Sequence, residues 1–291
     1  KEKKSTLDPT LFTTPNGLKI AYYERLNSPV FSLYFASYGG TRFELAQNHP
    51  HGNMWGASHL LAQTWTKGTP TLSSKQISHI TEGSAASIDG FSGRNTIGLQ
   101  MTGLVRDWNK LSSLFEDVLL NPTFHKDELI HAKRVTEEQI KSIQDHSSQV
   151  ASKLFLETLY STHPYGKYPL GTVEQVEFLN SDHLQSIHAA WVRNTNSAFS
   201  IVGGIPFEEA KGWIESLDQK MAEMASKTTF NAPLISAEPK LVAPRWAYSH
   251  FDREQTHIIV GGSGITLHDQ DRYALRLLQN ILGGQSGRLF I

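Results

Sequence analysis

The segment Gly56-Ala57-Ser58-His59-Leu60-Leu61-Ala62-Gln63-Thr64-Trp65-Thr66-Lys67-Gly68-Thr69 sets a single imidazole, His59, in an otherwise largely apolar stretch. Two imidazoles four residues apart on one helix face can grip a zinc ion, and a carboxylate beside them can take a proton from zinc-bound water. Four residues after His59 this chain offers only the neutral amide of Gln63, a poor zinc ligand, and Ala62 before it has no acid–base group. A lone histidine on an apolar helix is more often a packed, hydrogen-bonded side chain than a ligand. His49 and His51, in Asn48-His49-Pro50-His51, could combine with His59 in a metal site of different layout, although histidines flanking a proline in a polar loop are more often solvated.

The same segment resembles the H-x-x-E-H helix of the inverzincins, the pitrilysin/insulinase-type zinc metallopeptidases, including the Lys-Gly-Thr that commonly follows it. The resemblance implies that Ala62 stands where the family has its glutamate base and Gln63 where it has its second histidine. The family's further zinc ligand is a glutamate on a later helix, which points to the segment Ala132–Ile143 with Glu138 and Gln139 as candidates. Leu129, Lys133, Thr136, Ile140 and Ile143 form one stripe at three- and four-residue spacing, and Gln139 borders it while Glu138 points to the other side. Gln139 is therefore assigned to the ligand position, leaving His59 as the one retained group. If Glu138 is the match, two ligands remain, still without a base. Neither set hydrolyses a peptide, so no catalytic residue and no bound metal are expected in this chain.

Other segments carry the resemblance in the family's order. Gly40-Thr41-Arg42-Phe43-Glu44 is similar to the Gly-x-Arg-x-Glu lead-in to the metal helix, and His163-Pro164-Tyr165-Gly166 to a His-Pro-Tyr-Gly loop followed by the acidic helix Val173–Phe178. Ile281-Leu282-Gly283-Gly284-Gln285-Ser286-Gly287-Arg288-Leu289-Phe290 resembles the Gly-rich signature of the following domain. Active members carry an Asn-Ala-x-Thr-like strand after the metal helix. Gly83-Ser84-Ala85-Ala86-Ser87-Ile88-Asp89-Gly90-Phe91-Ser92-Gly93 looks instead like the degenerate half of the family. Such halves occur as the C-terminal half of a double-length peptidase or as a separate subunit, as in the mitochondrial processing peptidase and the core subunits of the respiratory cytochrome complex. The resemblance implies an active metallopeptidase half or subunit as partner, zinc in that partner, and a peptide or small-protein substrate. The family's Arg/Tyr substrate-contacting pair would fall beyond Ile291, and the start at Lys1 reads as a mature protein or an internal fragment.

Composition fits a globular chain and excludes several classes. With 291 residues and 39% hydrophobic content it can fill one large core and part of another. A formal net charge of -1, from 27 basic and 28 acidic residues, argues against nucleic acid or an anionic membrane surface as partner. No apolar run approaches the length that spans a bilayer. The absence of cysteine excludes disulfides and thiolate chemistry and suits an exported, periplasmic protein.

The elements that must position these groups read as an α+β domain, a mostly antiparallel sheet packed by helices as in the processing peptidases. Strands are expected at Leu18–Tyr23 and Val30–Tyr38, separated by Asn27-Ser28-Pro29, then at Ser87–Asp89, Thr96–Met101 and Ala198–Val202. Helices are expected at Met54–Thr66, Ser74–Glu82, Asp107–Leu120, Asp127–Gln144, Ser148–Tyr160, Val173–Trp191 and Phe207–Met224. In the third of these, Asp107 can cap, Leu111, Leu114, Phe115, Val118 and Leu119 form the buried stripe, and Asn121-Pro122 ends it. Residues 1–226 thus form the peptidase-like domain and the proline-richer residues 227–250 a linker. Residues 251–291 begin a second, similar domain with a strand at Thr256–Val260 and a helix at Asp271–Leu282.

Three functions follow. The favoured one is a non-catalytic half or subunit of a zinc metallopeptidase that forms a peptide-binding chamber with an active half. The second is a structural core-type subunit of a larger assembly, separated from the first by peptide binding. The third, a zinc metalloendopeptidase with a site rebuilt around His49, His51 and His59, is separated from both by metal content.

Overall fold

The computed structural model describes residues 8–44, 53–225, 234–250 and 254–283. Strand β3 (Val30–Tyr38) lies at the middle of the sheet, because alternation along it buries Phe31, Leu33, Phe35 and Ser37 on one face and leaves Val30, Ser32, Tyr34 and Tyr38 on the other. It pairs antiparallel with β5 (Thr96–Leu104) on one side and with β6 (Ser197–Gly203) on the other. β4 (Ser87–Ser92) adds to β5 as one edge. β2 (Lys19–Glu24) runs parallel to β6 and carries β1 (Thr10–Thr13) as the opposite edge. The order is β1-β2-β6-β3-β5-β4, and β2–β6 is the parallel pair in an otherwise antiparallel sheet.

Between the strands run α1 (Thr41–Glu44), α2 (Ala57–Thr64), α3 (Ser74–Gly83), α4 (Trp108–Leu120), α5 (Lys126–Gln144), α6 (Ser147–Leu159), α7 (Val173–Phe178) and α8 (Ser181–Trp191), with α9 (Phe207–Met224) and α10 (Arg272–Gly283) after the sheet. One core joins the inward face of the sheet, including Ile20, Leu99, Met101 and Ile201, to the apolar stripes of α2, α4, α8 and α9. Leu111, Leu114, Phe115, Val118 and Leu119 of α4 are all buried, as its periodicity implies. The outward face carries Ala21, Ala36, Ala198 and Ser200 along an open trough of about 470 Å³. Every residue of α10 is exposed or half-buried. Among the described residues no helix is long and apolar enough to cross a membrane.

Several elements depart from their sequence pattern. α2 begins at Ala57 rather than Met54, because Gly56 takes φ 93°, a left-handed conformation that cannot continue a right-handed helix. The stretch expected as one helix from Val173 to Trp191 is two, since Asn180 leaves helical geometry and caps α8 by accepting the N–H of His183 at 3.0 Å. Asp107 does stand at the N-cap of α4, but it closes a short 3₁₀ turn, Val105–Asp107, and its carboxylate makes no cap bond. Thr256–Val260 is not a strand, having no strand beside it among the described residues. The hairpin β4–β5 is longer than expected at both ends, reaching Ser92 and Leu104. Most of the Gly-rich segment 281–290 lies outside the described residues.

Helix α2 rests on β4 at Gly90, where an added Cβ would run into the Ala62 carbonyl oxygen. Gly212, on α9, has nothing within 4 Å of the same construction. Gly90→Ala is therefore expected to cost about 1–3 kcal/mol through overpacking, whereas Gly212→Ala should add about 0.5–1 kcal/mol through helix propensity. Chemical denaturation of both variants checks this, and a neutral Gly90→Ala would mean that α2 can lift off the strand freely.

Candidate functional site

Helix α2 carries His59 and is fixed at both ends. Its first N–H groups have no intrahelical acceptor, and Gly56 has no side chain to supply one. The Glu44 carboxyl, at the end of α1, does so instead, accepting Gly56 N–H at 2.9 Å and Ser58 N–H at 2.6 Å. Burial pushes Glu44 up to about 7, against the downward pull of these donors. The loop after the Pro164–Gly166 turn closes over the same end. Trp55 Nε1 donates to the Tyr168 carbonyl at 2.5 Å, and a Cβ on Gly56 would lie 2.8 Å from the Leu170 carbonyl oxygen.

That loop is in turn held to the β4–β5 hairpin. Arg94 donates to the Tyr165 carbonyl at 2.6 Å, and the Tyr165 hydroxyl donates to Asn95 Oδ1 at 2.7 Å. At the far end of α2, Trp65 Nε1 donates to the Val118 carbonyl at 3.1 Å, and its ring stands edge-on to the His188 imidazole at 5.3 Å. His188 is buried with Nε2 2.8 Å from the Leu119 carbonyl, and burial lowers it to about 4.

His59 is half-buried on α2, and its Nε2 is enclosed without a hydrogen-bond partner among the described residues. Burial lowers its pKa. The Gln139 side chain, reaching over from α5, opposes this by favouring the charged ring, yet makes no hydrogen bond of good geometry to Nε2. Of the two candidates on α5 it is Gln139 that acts on the imidazole, although both side chains are exposed. Ala62 is buried toward β4, and Gln63 is exposed on the same helix. His49 and His51 lie outside the described residues.

Among the described residues no three His, Asp or Glu side chains come together in a way that could hold a metal ion. One imidazole with two amides near it is a donor set that does not fit zinc. Sequence reasoning placed Glu44 and Tyr165 in matching segments without giving them roles, and passed over Arg94. The spacing of an acid ahead of a glycine-started helix, Glu44 before Gly56, was the available signal.

The family model described as "Insulinase (Peptidase family M16)" matches residues 49–173, and the one described as "Peptidase M16 inactive domain" matches residues 179–291. These two models of one peptidase family cover most of the chain between them. The chain belongs to the M16 peptidases. An uncharacterized zinc protease of Bacillus subtilis, YmxG, is 25% identical over 283 residues, 96% of this chain and 65% of that protein. A probable mitochondrial-processing peptidase subunit beta of Arabidopsis thaliana is 20% identical over 272 residues, covering 93% of this chain and 50% of that protein. Among solved structures, a peptidase M16 inactive domain from Pseudomonas fluorescens overlays with a TM-score of 0.78 at 22% identity, and a protease from Helicobacter pylori with 0.79 at 18%. Both overlays cover 98% of this chain and 67% of the other, and show a shared fold. The chain spans about 50–65% of the length of the curated relatives it matches.

Two predictions come from this geometry. The chain purified without chelator or tag is expected to hold less than about 0.1 zinc per molecule by mass spectrometry, since zinc sites need three or four protein ligands. The double variant A62E/Q63H should bind zinc measurably by calorimetry yet cleave peptides poorly until Q139E is added. Full activity in the double variant would show that Gln139 does not stand at the ligand position.

A further prediction concerns pH. Between about 4.5 and 6.5 the folded chain keeps a proton on Glu44 that the unfolded chain releases, and lacks one on His188 that the unfolded chain takes up. For these two groups the proton counts balance and the slope of stability with pH cancels. Removing Glu44 (E44Q) leaves the His188 contribution, which is lost as pH falls, so stability should rise more steeply with pH than in the native chain. Removing His188 (H188Q) leaves the Glu44 contribution, which is lost as pH rises, and the slope should shift the opposite way, each by about 1 kcal/mol per pH unit. Urea denaturation at several pH values within that range checks this, and a group that titrates normally would leave the slope unchanged when removed.

Proposed function

We propose that this chain is the non-catalytic half or subunit of an M16-type zinc peptidase, forming a peptide-binding chamber with an active half that carries the zinc. The carrying observation is the arrangement around α2: the scaffold holding the helix is complete, while the positions that would supply ligands and base hold Ala62, Gln63 and Gln139. Beside this helix lies β4, an edge strand. An edge presents unpaired backbone N–H and C=O groups, and an extended peptide can add to it as a further strand, with main-chain bonds supplying affinity and no reactive group required. An exported or periplasmic setting, where peptides are cleared or processed, suits this reading.

The test is hydrogen exchange with and without an unstructured peptide of about twelve residues, long enough to cover a strand with flanks. Slowed exchange along Ser87–Ser92, without protection of the opposite edge at Thr10–Thr13 and without cleavage, is the expected result. Absence of protection at any peptide concentration would favour a structural subunit that binds no substrate. Cleavage by the chain alone, abolished by chelator, would favour the rebuilt metal site.

A further inference from the structure

Residues 234–250 contain no helix or strand, yet Ile235 packs against the core and polar side chains tie the segment down at one further place. Directly after α6, the loop Ser161–His163 turns three successive backbone N–H groups toward one point, an arrangement that binds anions. The carboxylate of Glu238 fills it. Oε1 accepts the Ser161 N–H at 3.1 Å and hydroxyl at 3.0 Å. Oε2 accepts the N–H groups of Thr162 at 3.0 Å and His163 at 2.9 Å and the Thr162 hydroxyl at 3.0 Å.

Arg245 closes the arrangement from the other side. Its Nη1 lies 3.2 Å from Glu238 Oε1 and 3.0 Å from the Thr158 carbonyl, at the end of α6 where carbonyls lack intrahelical partners. Burial pushes the Glu238 carboxyl up, but the N–H groups of Thr162 and His163 with the Thr162 and Ser161 hydroxyls together hold it down to about 2. The pair is less exposed than the i,i+4 ion pairs on α6 and α9.

We propose that Glu238 and Arg245 form a clasp that straps the connecting segment to the loop Ser161–His163, so that the chain leaves the first unit from a fixed point rather than from a free hinge. The same loop runs on into the Pro164–Gly166 turn and to Tyr168, which holds Trp55 at the head of α2. The strap and the helix that carries His59 are therefore anchored to one continuous stretch of backbone. The inference rests on neither metal nor peptide binding.

Glu238→Gln keeps the size of the side chain and removes its charge. Trypsin cleavage after Lys240, an exposed position in the strap, should accelerate about tenfold or more, because the closed state loses charge-assisted bonds and local opening governs proteolysis. The amides of residues 161–163 should exchange faster in parallel, while E254Q, at an exposed glutamate outside the clasp, leaves both rates unchanged. Unchanged cleavage and exchange in E238Q would overturn the proposal. Should E238Q fail to fold, the native chain decides: exchange of those three amides about a hundredfold slower than in free peptide supports the clasp, and exchange at free-peptide rates removes it.

Discussion

The position of α2 is set by backbone meeting backbone. At Gly90 the edge strand lies directly under the Ala62 carbonyl, and at Gly56 the helix start lies against the Leu170 carbonyl. Between these two approaches the Glu44 carboxyl holds the first N–H groups of the helix. Contacts of this kind admit no side-chain adjustment, so the helix can occupy only one place relative to the sheet. The side chains that α2 presents outward are under no such constraint. Gln63 is exposed, so the residue at that position can be exchanged at little cost in stability while the frame remains.

What is left at the site is electrically quiet. His59 is held toward its neutral form, Gln139 beside it is neutral, and Ala62 contributes no charge. A peptide laid along β4 would meet the exposed Asp89 side chain of the strand itself, but no charge from these three residues.

Much of this frame was legible in the chain. Alternation along Val30–Tyr38 and the stripe from Leu111 to Leu119 report burial on one face, and burial is what decides those elements. The preference for Gln139 over Glu138 as a ligand position rests on helical phase alone, because a one-residue step turns a side chain well around the axis. Elements decided by something other than periodicity were not legible. The break at Leu179-Asn180 interrupts an apolar pattern that continues on both sides, and only the cap at Asn180 marks it. Thr256–Val260 has strand-like residues, but a strand exists only beside another. Glu238 and Arg245 act on backbone groups distant in sequence, and no local pattern announces a partner 77 residues away, as Ser161 is from Glu238. The domain limits at 226 and 250 likewise depend on contacts that composition does not report.

The strand order has a consequence for how the chain reaches this state. β6 lies between β2 and β3, although β2 and β3 are neighbours in sequence and β6 is the last of the strands to be made. During synthesis the β1–β2 hairpin and the β3–β5–β4 ribbon can each form early, but they have no edge in common. Only when Ser197–Gly203 has emerged can a strand slot between them, pairing Lys19 with Ala198 and Phe31 with Gly203. Until then the edges of β2 and β3 stand open, and the sheet's closure is a late, non-local step of the kind that folds slowly and invites mispairing. The burden on assembly is thus borne by one seven-residue strand.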